Sequence, residues 1–420
     1  LGLALATMFK HGTVCVGQDA RVSSPEVAWS LMKGLVEGGL DVEDIGIVTT
    51  PCLNYCVGRF GYVGGVMVTA SHNPPRYNGF KIAREGAVPM SYETGIKELE
   101  NMVNNAWLCK AQTPGKRSKA DLRKYYIEHV VTFSKITKKL NVVIDSSNGV
   151  GGRVFPAIFR RIPPKLSRLH FKIDGRFPNH DPNPLLDENI EDLQKVVVAK
   201  KADVGICLDG DADRMMAVDE NGRRIACDLM TALIAREMLK DNPGAKFVYD
   251  VRSSRVVREE IENNGGEAIV ERVGHSYMKA ALREKDALFG GEVSGHFYFQ
   301  KNFCCDSAAI ATVWLLNLMS AFDGPISKLV EPLRRYHSTG EVNFKVEDSD
   351  EALEKLAKKF SDGKQHWLDG LTVDYPDWWF NVRASNTEPL VRVNLEAKNE
   401  DQCAEKMKQV EDVLGKPVSH

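Results

Sequence analysis

Ser71 stands where an apolar segment meets a stiff, polar turn, in the stretch VMVTASHNPPRYNGFKI. Open α/β sheets bind their ligands at the carboxyl ends of strands, and this hydroxyl would lie at such an end. His72 follows directly, but neighbouring side chains of an extended chain point in opposite directions. His72 is therefore a poor base for a Ser–His pair. The prolines that stiffen the turn and the Asn-Gly pair behind them still favour a functional serine.

Three carboxylates, Asp209, Asp211 and Asp213, alternate in the segment DGDADR. On an extended segment they share one side, and such oxygens suit a hard divalent cation such as Mg²⁺. Together with Glu220 they also match the spacing of an EF-hand loop, but Arg214 stands where that loop needs glycine and the preceding residues read as a strand. We therefore predict a metal site outside an EF-hand, with Arg214 beside it to grip an anionic substrate.

A third segment, LFGGEVSGHFYFQ, carries Glu292, Ser294 and His296 at alternate positions. Its glycines allow the backbone to approach a ligand closely. A carboxylate, a hydroxyl and an imidazole on one side suit the hydroxyls of a sugar and general acid–base catalysis. The alternative is a Gly-rich hairpin without such a role. The nearby segment RVGHSYMK adds His275 and Lys279.

The fourth segment, NVRASNTEPLVRV, combines a guanidinium, two hydroxyls and an amide in a turn. Such a group of donors forms a cradle for phosphate. A turn of this composition is also explained by hydrogen bonds between its own side chains and backbone. The candidate phosphate-binding residues are Arg383, Ser385, Asn386 and Thr387.

Three similar segments each run from an apolar strand into an aspartate and then a helical pattern: TVCVGQDARVSS, NVVIDSSNGVGG and KFVYDVRSSRVV. The first and third share D-x-R-x-S, with Asp19 and Arg21 in one and Asp250 and Arg252 in the other. An aspartate or serine after a strand is also a common helix cap. Three such segments, about one domain length apart, favour tandem α/β domains of similar design.

The length of 420 residues also requires several domains, because single cores stop growing at roughly 250–300 residues. The run KAQTPGKRSKAD reads as a linker, and the segments after VEPLRRYHSTGE alternate as in a half-exposed antiparallel sheet. We predict three tandem mixed α/β domains followed by an α+β domain with an antiparallel sheet. Their predicted bounds are residues 1–115, 116–221, 222–337 and 338–420.

Composition narrows the class of protein. The net charge of −2 argues against a nucleic-acid or membrane partner. No apolar run approaches the roughly 18 residues of a membrane span. The nine cysteines have no metal-site or disulfide pattern, which indicates reduced thiols and a cytoplasmic location.

All four segments, in order, resemble the motifs of the α-D-phosphohexomutase superfamily, over essentially the whole chain. The resemblance implies four domains around a central cleft and reversible conversion of a hexose 1-phosphate to the 6-phosphate through a hexose 1,6-bisphosphate. It also implies that Ser71 carries a phosphoryl group and that one Mg²⁺ is held by this phosphate and by Asp209, Asp211 and Asp213. The motif GEVSGH has an apolar residue, Val293, between Glu292 and Ser294, and in this it resembles the motif of the phosphomannomutase/phosphoglucomutase group.

The resemblance also implies roles for the remaining residues. Arg21 and Arg214 would add positive charge, and Lys81 would stabilise charge or carry a proton. Glu292 and Ser294 would hold the sugar, and His275 or His296 would move the hydroxyl proton. The distant phosphate would bind to Arg383, Ser385, Asn386, Thr387 and Arg392.

Several alternatives stay open from the sequence. A phosphoglucosamine mutase is the nearest of them, although that group usually has Gln at the position of Val293. A metal-dependent phosphatase would use Asp209 as nucleophile, but Asp213 stands where its motif has Thr or Val. The family normally begins with a strand and an arginine-containing turn, which we expect to precede Leu1. The expected partner is a phosphorylated hexose, and the enzyme is expected to be a monomer or homodimer.

Overall fold

The described residues form four β-sheets, in a computed structural model that covers residues 1–385 and 390–418. The first three sheets share one plan. A central strand pairs in parallel with two neighbours, and one of these neighbours pairs antiparallel with the next strand. The aspartate of each repeated segment follows or ends the central strand. The predicted fold class and the tandem repeat are therefore confirmed.

The first sheet has the order β5-β4-β3-β1-β2-β6. Its strands are β1 (Thr13–Gln18), β2 (Asp41–Ile47), β3 (Gly64–Val68), β4 (Phe80–Arg84), β5 (Val88–Pro89) and β6 (Arg117–Lys119). Its helices are α1 (Gly2–Phe9), α2 (Ser24–Glu37), α3 (Thr50–Arg59) and α4 (Lys97–Asn104). The predicted boundary at 115/116 is displaced, because β6 pairs with β2 and so belongs to this sheet.

The second sheet has the order β11-β10-β9-β7-β8. Its strands are β7 (Asn141–Asp145), β8 (Lys165–Leu169), β9 (Val204–Leu208), β10 (Met215–Val218) and β11 (Arg224–Ile225). Its helices are α5 (Arg123–Val131), α6 (Phe155–Phe159) and α7 (Glu191–Lys200). The short β11 closes a hairpin with β10 beyond the predicted boundary at 221/222, so the second domain also extends further than expected.

The third sheet has the order β13-β12-β14-β15-β16. Its strands are β12 (Lys246–Asp250), β13 (Glu267–Glu271), β14 (Phe289–Gly291), β15 (Phe297–Phe299) and β16 (Cys305–Asp306). Its helices are α8 (Cys227–Asp241), α9 (Arg255–Asn263), α10 (His275–Glu284), α11 (Ala308–Ala321) and α12 (Ile326–Val330).

The fourth sheet, in the order β18-β19-β20-β21-β17-β22, is antiparallel at every pairing. Its strands are β17 (His337–Lys345), β18 (Lys364–His366), β19 (Leu371–Asp374), β20 (Trp378–Ala384), β21 (Leu390–Ala397) and β22 (Pro417–Val418). Its helices are α13 (Ser349–Lys359) and α14 (Glu400–Leu414). This is the predicted α+β domain.

The hydrophobic cores divide the molecule differently from the sheets. One continuous cluster runs from Cys15 to Leu333 and includes residues of the first three domains. The fourth domain encloses its own cluster, from Phe344 to Leu414. The first three domains therefore pack as one body, to which the fourth is attached through surface contacts.

No single helix in residues 1–385 and 390–418 is long and apolar enough to cross a membrane. The bent pair Ala308–Ala321 and Ile326–Leu333 passes the same test of length and composition only when its two arms are taken together. Most of α11 is buried inside the third domain, which accounts for its apolar composition.

Candidate active site

Ser71 lies in the turn that follows β3, three residues after the strand ends. Its backbone has the left-handed conformation, at φ 50°. This conformation is uncommon for a residue with a side chain and marks a constrained turn. The backbone N–H of Ser71 donates to Thr69 Oγ1 at 2.8 Å. Its Oγ donates to Asp209 Oδ2 at 2.7 Å, across the boundary between the first two domains. The strand end thus aims the serine hydroxyl at the acidic segment.

Arg21 fixes this serine turn from behind. Its Nε donates to Asp19 Oδ2 at 2.9 Å, so that the guanidinium is anchored to the end of β1. All five of its N–H donors are used, and the other four go to backbone carbonyls of the turn. The accepting carbonyls belong to Ser71, Asn73, Pro74 and Tyr77. The arginine therefore shapes the loop and has no N–H donor left to offer a ligand.

The three aspartates lie together, although the segment is a turn with Ala212 at φ 58° and not the extended run that the spacing argument assumed. They are buried, and one carboxylate oxygen from each lies within 4.8 Å of the others. Asp209 Oδ1 also accepts from the backbone N–H groups of Asp213 and Arg214, at 3.1 and 3.2 Å. Burial, and after it the charges of Asp213 and Asp211, raises the pKa of Asp209. The arrangement concentrates negative charge that calls for a cation.

The donor set fits a hard divalent metal ion. Asp211 Oδ1 and Asp213 Oδ1 are buried and have no hydrogen-bond partner among the described residues, although His296 Nε2 lies 3.4 Å from Asp213 Oδ1. Unpaired buried carboxylate oxygens are costly, and a metal ligand is one of the roles that explains them. The strands β9 and β10 flank the segment, and Glu220 instead accepts from Ser327, which excludes the EF-hand arrangement.

Lys81 approaches the trio from β4, which pairs antiparallel with β3. Its Nζ donates to Asp211 Oδ2 at 2.7 Å and to Asp213 Oδ2 at 2.5 Å. Burial alone would lower the pKa of Lys81, but the carboxylates outweigh it and raise the pKa. The lysine therefore stays protonated and supplies positive charge to the site.

The candidate histidines differ in their surroundings. His296 uses both ring nitrogens, since Nδ1 lies 2.9 Å from Ser294 Oγ and Nε2 lies 3.1 Å from Arg214 Nε. His275, at the start of α10, is buried and its Nδ1 has no partner. Burial, followed by the charges of Lys279 and Lys81, lowers the pKa of His275 to about 3.

His72 resembles His275 in this respect. Burial, followed by Arg214 and Lys81, lowers its pKa to about 3, and its Nδ1 is likewise without a partner. Ser71 donates to Asp209, so the hydroxyl has a partner other than the adjacent imidazole. The geometry agrees with the sequence argument against a Ser–His pair.

Glu292 is rigidly held at the hairpin between β14 and β15. Its Oε1 accepts from Gly274 N at 2.9 Å, and its Oε2 accepts from the Tyr298 hydroxyl at 2.5 Å. Burial raises its pKa, but His296 and Arg252 outweigh this and the pKa is lowered. The alternate residues Glu292, Ser294 and His296 therefore form one cluster, with a charged carboxylate at its centre.

The predicted phosphate-binding arginines lie side by side on the fourth sheet, where Arg383 pairs with Arg392 across β20 and β21. Both contact Glu341: Arg383 Nη2 forms an ion pair with Oε2, and Arg392 Nη1 lies 3.3 Å from Oε1. Ser385 N donates to Leu390 O at 2.8 Å. The predicted Asn386 and Thr387 lie outside the described residues.

Several residues of the site were not singled out from the sequence. Thr50 donates to Asp211 Oδ2 at 2.5 Å. Asp306 forms a buried pair at 3.0 Å with Lys279, which the sequence had already indicated, and its Oδ2 lies 4.0 Å from His296 Nε2. Glu341 is the third case. No local pattern marks a threonine, an aspartate or a strand glutamate as part of a distant site, whereas Lys279 shares a segment with His275.

Comparison with known proteins gives the class of enzyme. Four family models match in order and together cover most of the chain. They are phosphoglucomutase/phosphomannomutase alpha/beta/alpha domain I at residues 1–107, domain II at 124–222, domain III at 227–336 and the C-terminal domain at 341–413.

Individual relatives can be aligned with nearly the whole length of this chain. A phosphomannomutase of Vibrio cholerae is 36% identical over 92% of this chain and 86% of its own. A phosphoglucomutase of Neisseria gonorrhoeae is 36% identical over 91% of this chain and 84% of its own. A crystal structure of a phosphoglucomutase/phosphomannomutase family protein from Burkholderia thailandensis superposes with a TM-score of 0.90 at 33% identity, covering 98% of this chain and 92% of that one.

The fold and the site thus define a four-domain isomerase that transfers a phosphoryl group. The chain belongs to the phosphoglucomutase/phosphomannomutase family. The resemblance inferred from the four motifs is confirmed.

Proposed function

We propose that this enzyme interconverts the 1-phosphate and 6-phosphate of mannose, glucose or both, through phosphorylated Ser71 and a hexose 1,6-bisphosphate. The observation that carries the proposal is the 2.7 Å contact between Ser71 Oγ and Asp209, inside a buried trio of carboxylates. A Ser–His hydrolase would need an imidazole at this hydroxyl, whereas a phosphate carrier needs positive charge around it. Lys81 and Arg214 supply that charge from two sides.

Asp209, Asp211 and Asp213 are the residues that would hold one Mg²⁺, together with an oxygen of the serine phosphate. The buried Oδ1 of Asp211, which has no hydrogen-bond partner in residues 1–385 and 390–418, supports this assignment. When bound, the ion would neutralise charge on the transferring phosphoryl group. Replacing Asp211 with Asn should weaken metal binding, measurable by calorimetry on the purified protein.

In the first half-reaction the substrate hydroxyl attacks the phosphorus atom on Ser71. A bond forms between the substrate oxygen and phosphorus, the bond between phosphorus and Ser71 Oγ breaks, and the hydroxyl proton moves to a base. His275 and His296 are the two candidates for this base: Nδ1 of His275 has no hydrogen-bond partner among the described residues, whereas both nitrogens of His296 have one. Protonated Lys81 stabilises the charge, and Arg21 acts by holding the serine turn.

The sugar and its second phosphate would be held from the other two loops. Glu292 and Ser294 offer an acceptor and a hydroxyl to the ring. Arg383 and Arg392, with Ser385 and the residues Asn386 and Thr387, would bind the phosphate that is not being transferred. The bisphosphate then turns round, presents its other phosphate to Ser71 and returns the phosphoryl group to the serine.

The serine chemistry can be tested by intact-mass spectrometry. Purified enzyme should carry an added phosphate of about 80 Da, which hexose phosphate should remove and hexose 1,6-bisphosphate should restore. Ser71→Ala should lose this mass and nearly all turnover, whereas Ser118→Ala, in the short strand β6, should keep both. A Ser71→Ala variant with near-normal turnover would refute the proposal.

The substrate can be resolved by comparing mannose, glucose and glucosamine 1-phosphates under identical conditions. We expect mannose and glucose 1-phosphate to be converted, and a clear preference for glucosamine 1-phosphate would instead support the phosphoglucosamine mutase alternative. Release of inorganic phosphate without a 6-phosphate product would support the phosphatase alternative. We further infer a cytoplasmic enzyme, active as a monomer or homodimer.

A further inference from the structure

A cavity of about 630 Å³ lies between the third and fourth domains and contains none of the residues assigned above to the active site. Residues after β12 form one wall, and the β18–β19 hairpin forms the other. Its volume is within the usual range for small-molecule sites, which favour domain boundaries. The chemistry of its walls indicates what it would bind.

The cavity is positively charged. Arg258 and Lys364 face it from opposite domains, and neither forms an ion pair with a carboxylate in residues 1–385 and 390–418. The acidic residue of the lining, Asp374, is already paired with Arg255 at 2.9 Å. Two cations without carboxylate partners therefore remain for an anionic ligand.

The same cavity has an aromatic wall. The Trp367 side chain lines it and is 57% exposed, which is unusual for so large an apolar group. Leu368 beside it is also exposed. A flat ring that stacks on an exposed indole gains both area and π contact, so the walls favour a ring attached to an anionic group.

A buried hydroxyl provides an independent indication. Ser253 lines the cavity and is 6% exposed, yet its Oγ has no hydrogen-bond partner within the part of the chain that the structure describes. An unsatisfied buried hydroxyl is unfavourable, and a ligand in the cavity would satisfy it.

We infer that this cavity binds a nucleoside phosphate, with the phosphate between Arg258 and Lys364 and the base against Trp367. Arg255 links the two walls, donating to Asp374 and to the backbone carbonyls of Pro376 and Trp378. A ligand that contacts both walls stabilises one arrangement of the two domains over others. Binding is independent of the function proposed above; only an effect on turnover would depend on it.

Tryptophan fluorescence of the full chain can test binding directly. We expect ADP, GDP or UDP to quench the emission saturably at submillimolar concentration, and pyrophosphate and glucose 1-phosphate to bind at least roughly tenfold more weakly. Excess glucose 1,6-bisphosphate should not displace the nucleotide, because that compound belongs to the active site. Displacement would place the nucleotide in the active site and overturn the inference.

Variants localise the site. Arg258→Ala with Lys364→Ala should weaken binding by roughly tenfold or more, and Trp367→Ala should remove most of the quenching. Lys408→Ala and Trp107→Ala, at exposed positions elsewhere, should leave binding unchanged. Circular dichroism checks that each variant is folded. No saturable quenching by any of the three nucleotides, or equal binding of pyrophosphate, would overturn the inference.

Discussion

The two D-x-R-x-S segments share their sequence pattern, but their arginines have different hydrogen-bond partners. At the end of β1, Arg21 is fully buried and gives its whole guanidinium to Asp19 and the serine turn. At the end of β12, Arg252 is held by Asp250 alone, through Nε and Nη2 at 3.2 and 2.8 Å.

The charge of Arg252 also interacts with carboxylates outside its own segment. Its pKa is raised, since Asp250 and then Glu292 and Glu341 outweigh the effect of burial. Arg252 therefore interacts with the charges of the Glu292 loop and of the fourth domain, whereas Arg21 is enclosed by its own turn and by the ring of Phe177 in the second domain, 5.2 Å from its guanidinium carbon. One motif thus serves as a loop scaffold in one place and as a charge acting on neighbouring carboxylates in the other.

Loss of the scaffold should have the largest effect. Arg21→Ala would remove the cation beside buried Asp19 and the donor to four carbonyls of the turn, at a cost of at least about 3 kcal/mol in the free energy of unfolding. Turnover should fall by roughly 100-fold or more, because the serine would be misplaced. Urea unfolding and steady-state kinetics measure both. Arg21→Lys should fail to rescue, since an ammonium cannot make five such bonds; full rescue would contradict the scaffold role.

Loss of Arg252, the second arginine, should spare the fold. Asp250 keeps the backbone N–H groups of Arg252 and Val293 as partners, so Arg252→Ala should unfold at nearly the wild-type urea concentration. We expect kcat/KM to fall by roughly 10- to 100-fold, as for loss of a hydrogen bond from a charged group. Arg252→Lys should recover part of it. A loss of stability as large as that of Arg21→Ala would show that Arg252 is also a structural scaffold.

Glu341 forms ion pairs with the two arginines proposed to bind phosphate, and replacing it shows how strongly it holds them. This carboxylate contacts both Arg383 and Arg392, and therefore competes with a phosphate for them. Glu341→Gln should lower KM for the sugar phosphate by roughly two- to fivefold, with little change in kcat. Glu351→Gln, on the exposed surface of α13, is the matched control. A higher KM would mean that Glu341 positions the arginines more than it competes with phosphate.

The remaining repeated segment, in which Asp145 ends β7, should give the smallest effect on stability, and that effect should depend on pH. Asp145 is contacted by two histidines instead of an arginine, with His170 Nδ1 at 2.9 Å and His180 Nε2 at 3.1 Å. Burial lowers the pKa of His180, but Asp145 and the Asp181 carbonyl outweigh it and the pKa is raised. Burial likewise raises the pKa of Asp145, and the histidines outweigh it and lower it.

These directions fix the sign of the pH dependence. The His180 contribution to stability is complete below its unfolded pKa and is lost as pH rises through the folded pKa, while that of Asp145 is lost only in acid. His180→Gln should therefore be less stable than wild type by about 1 kcal/mol near pH 5.5, with a smaller difference in alkali. Chemical unfolding across pH measures this, and exposed His337→Gln serves as control. A constant difference would rule out the ion pair.

The sequence could predict features that depend on local pattern. The spacing of Asp209, Asp211 and Asp213 and of Glu292, Ser294 and His296 indicated two polar clusters, although the structure forms each of them on a turn and not on an extended segment. The sequence could not predict the edge strands β6 and β11, because strands of three and two residues carry no periodic signal. Nor could it show that Arg21 is a scaffold, since four of its acceptors lie some 50 residues away in the chain.

The separate core of the fourth domain has a consequence for synthesis on the ribosome. The cluster that joins the first three domains is complete by Leu333, before any residue of the last cluster has been made. Domains generally fold as units in the order of synthesis, so the body that carries Ser71 and the aspartates can form first. A truncated product ending before β17 would then be a folded protein with a complete serine site and no means of holding the far end of its substrate.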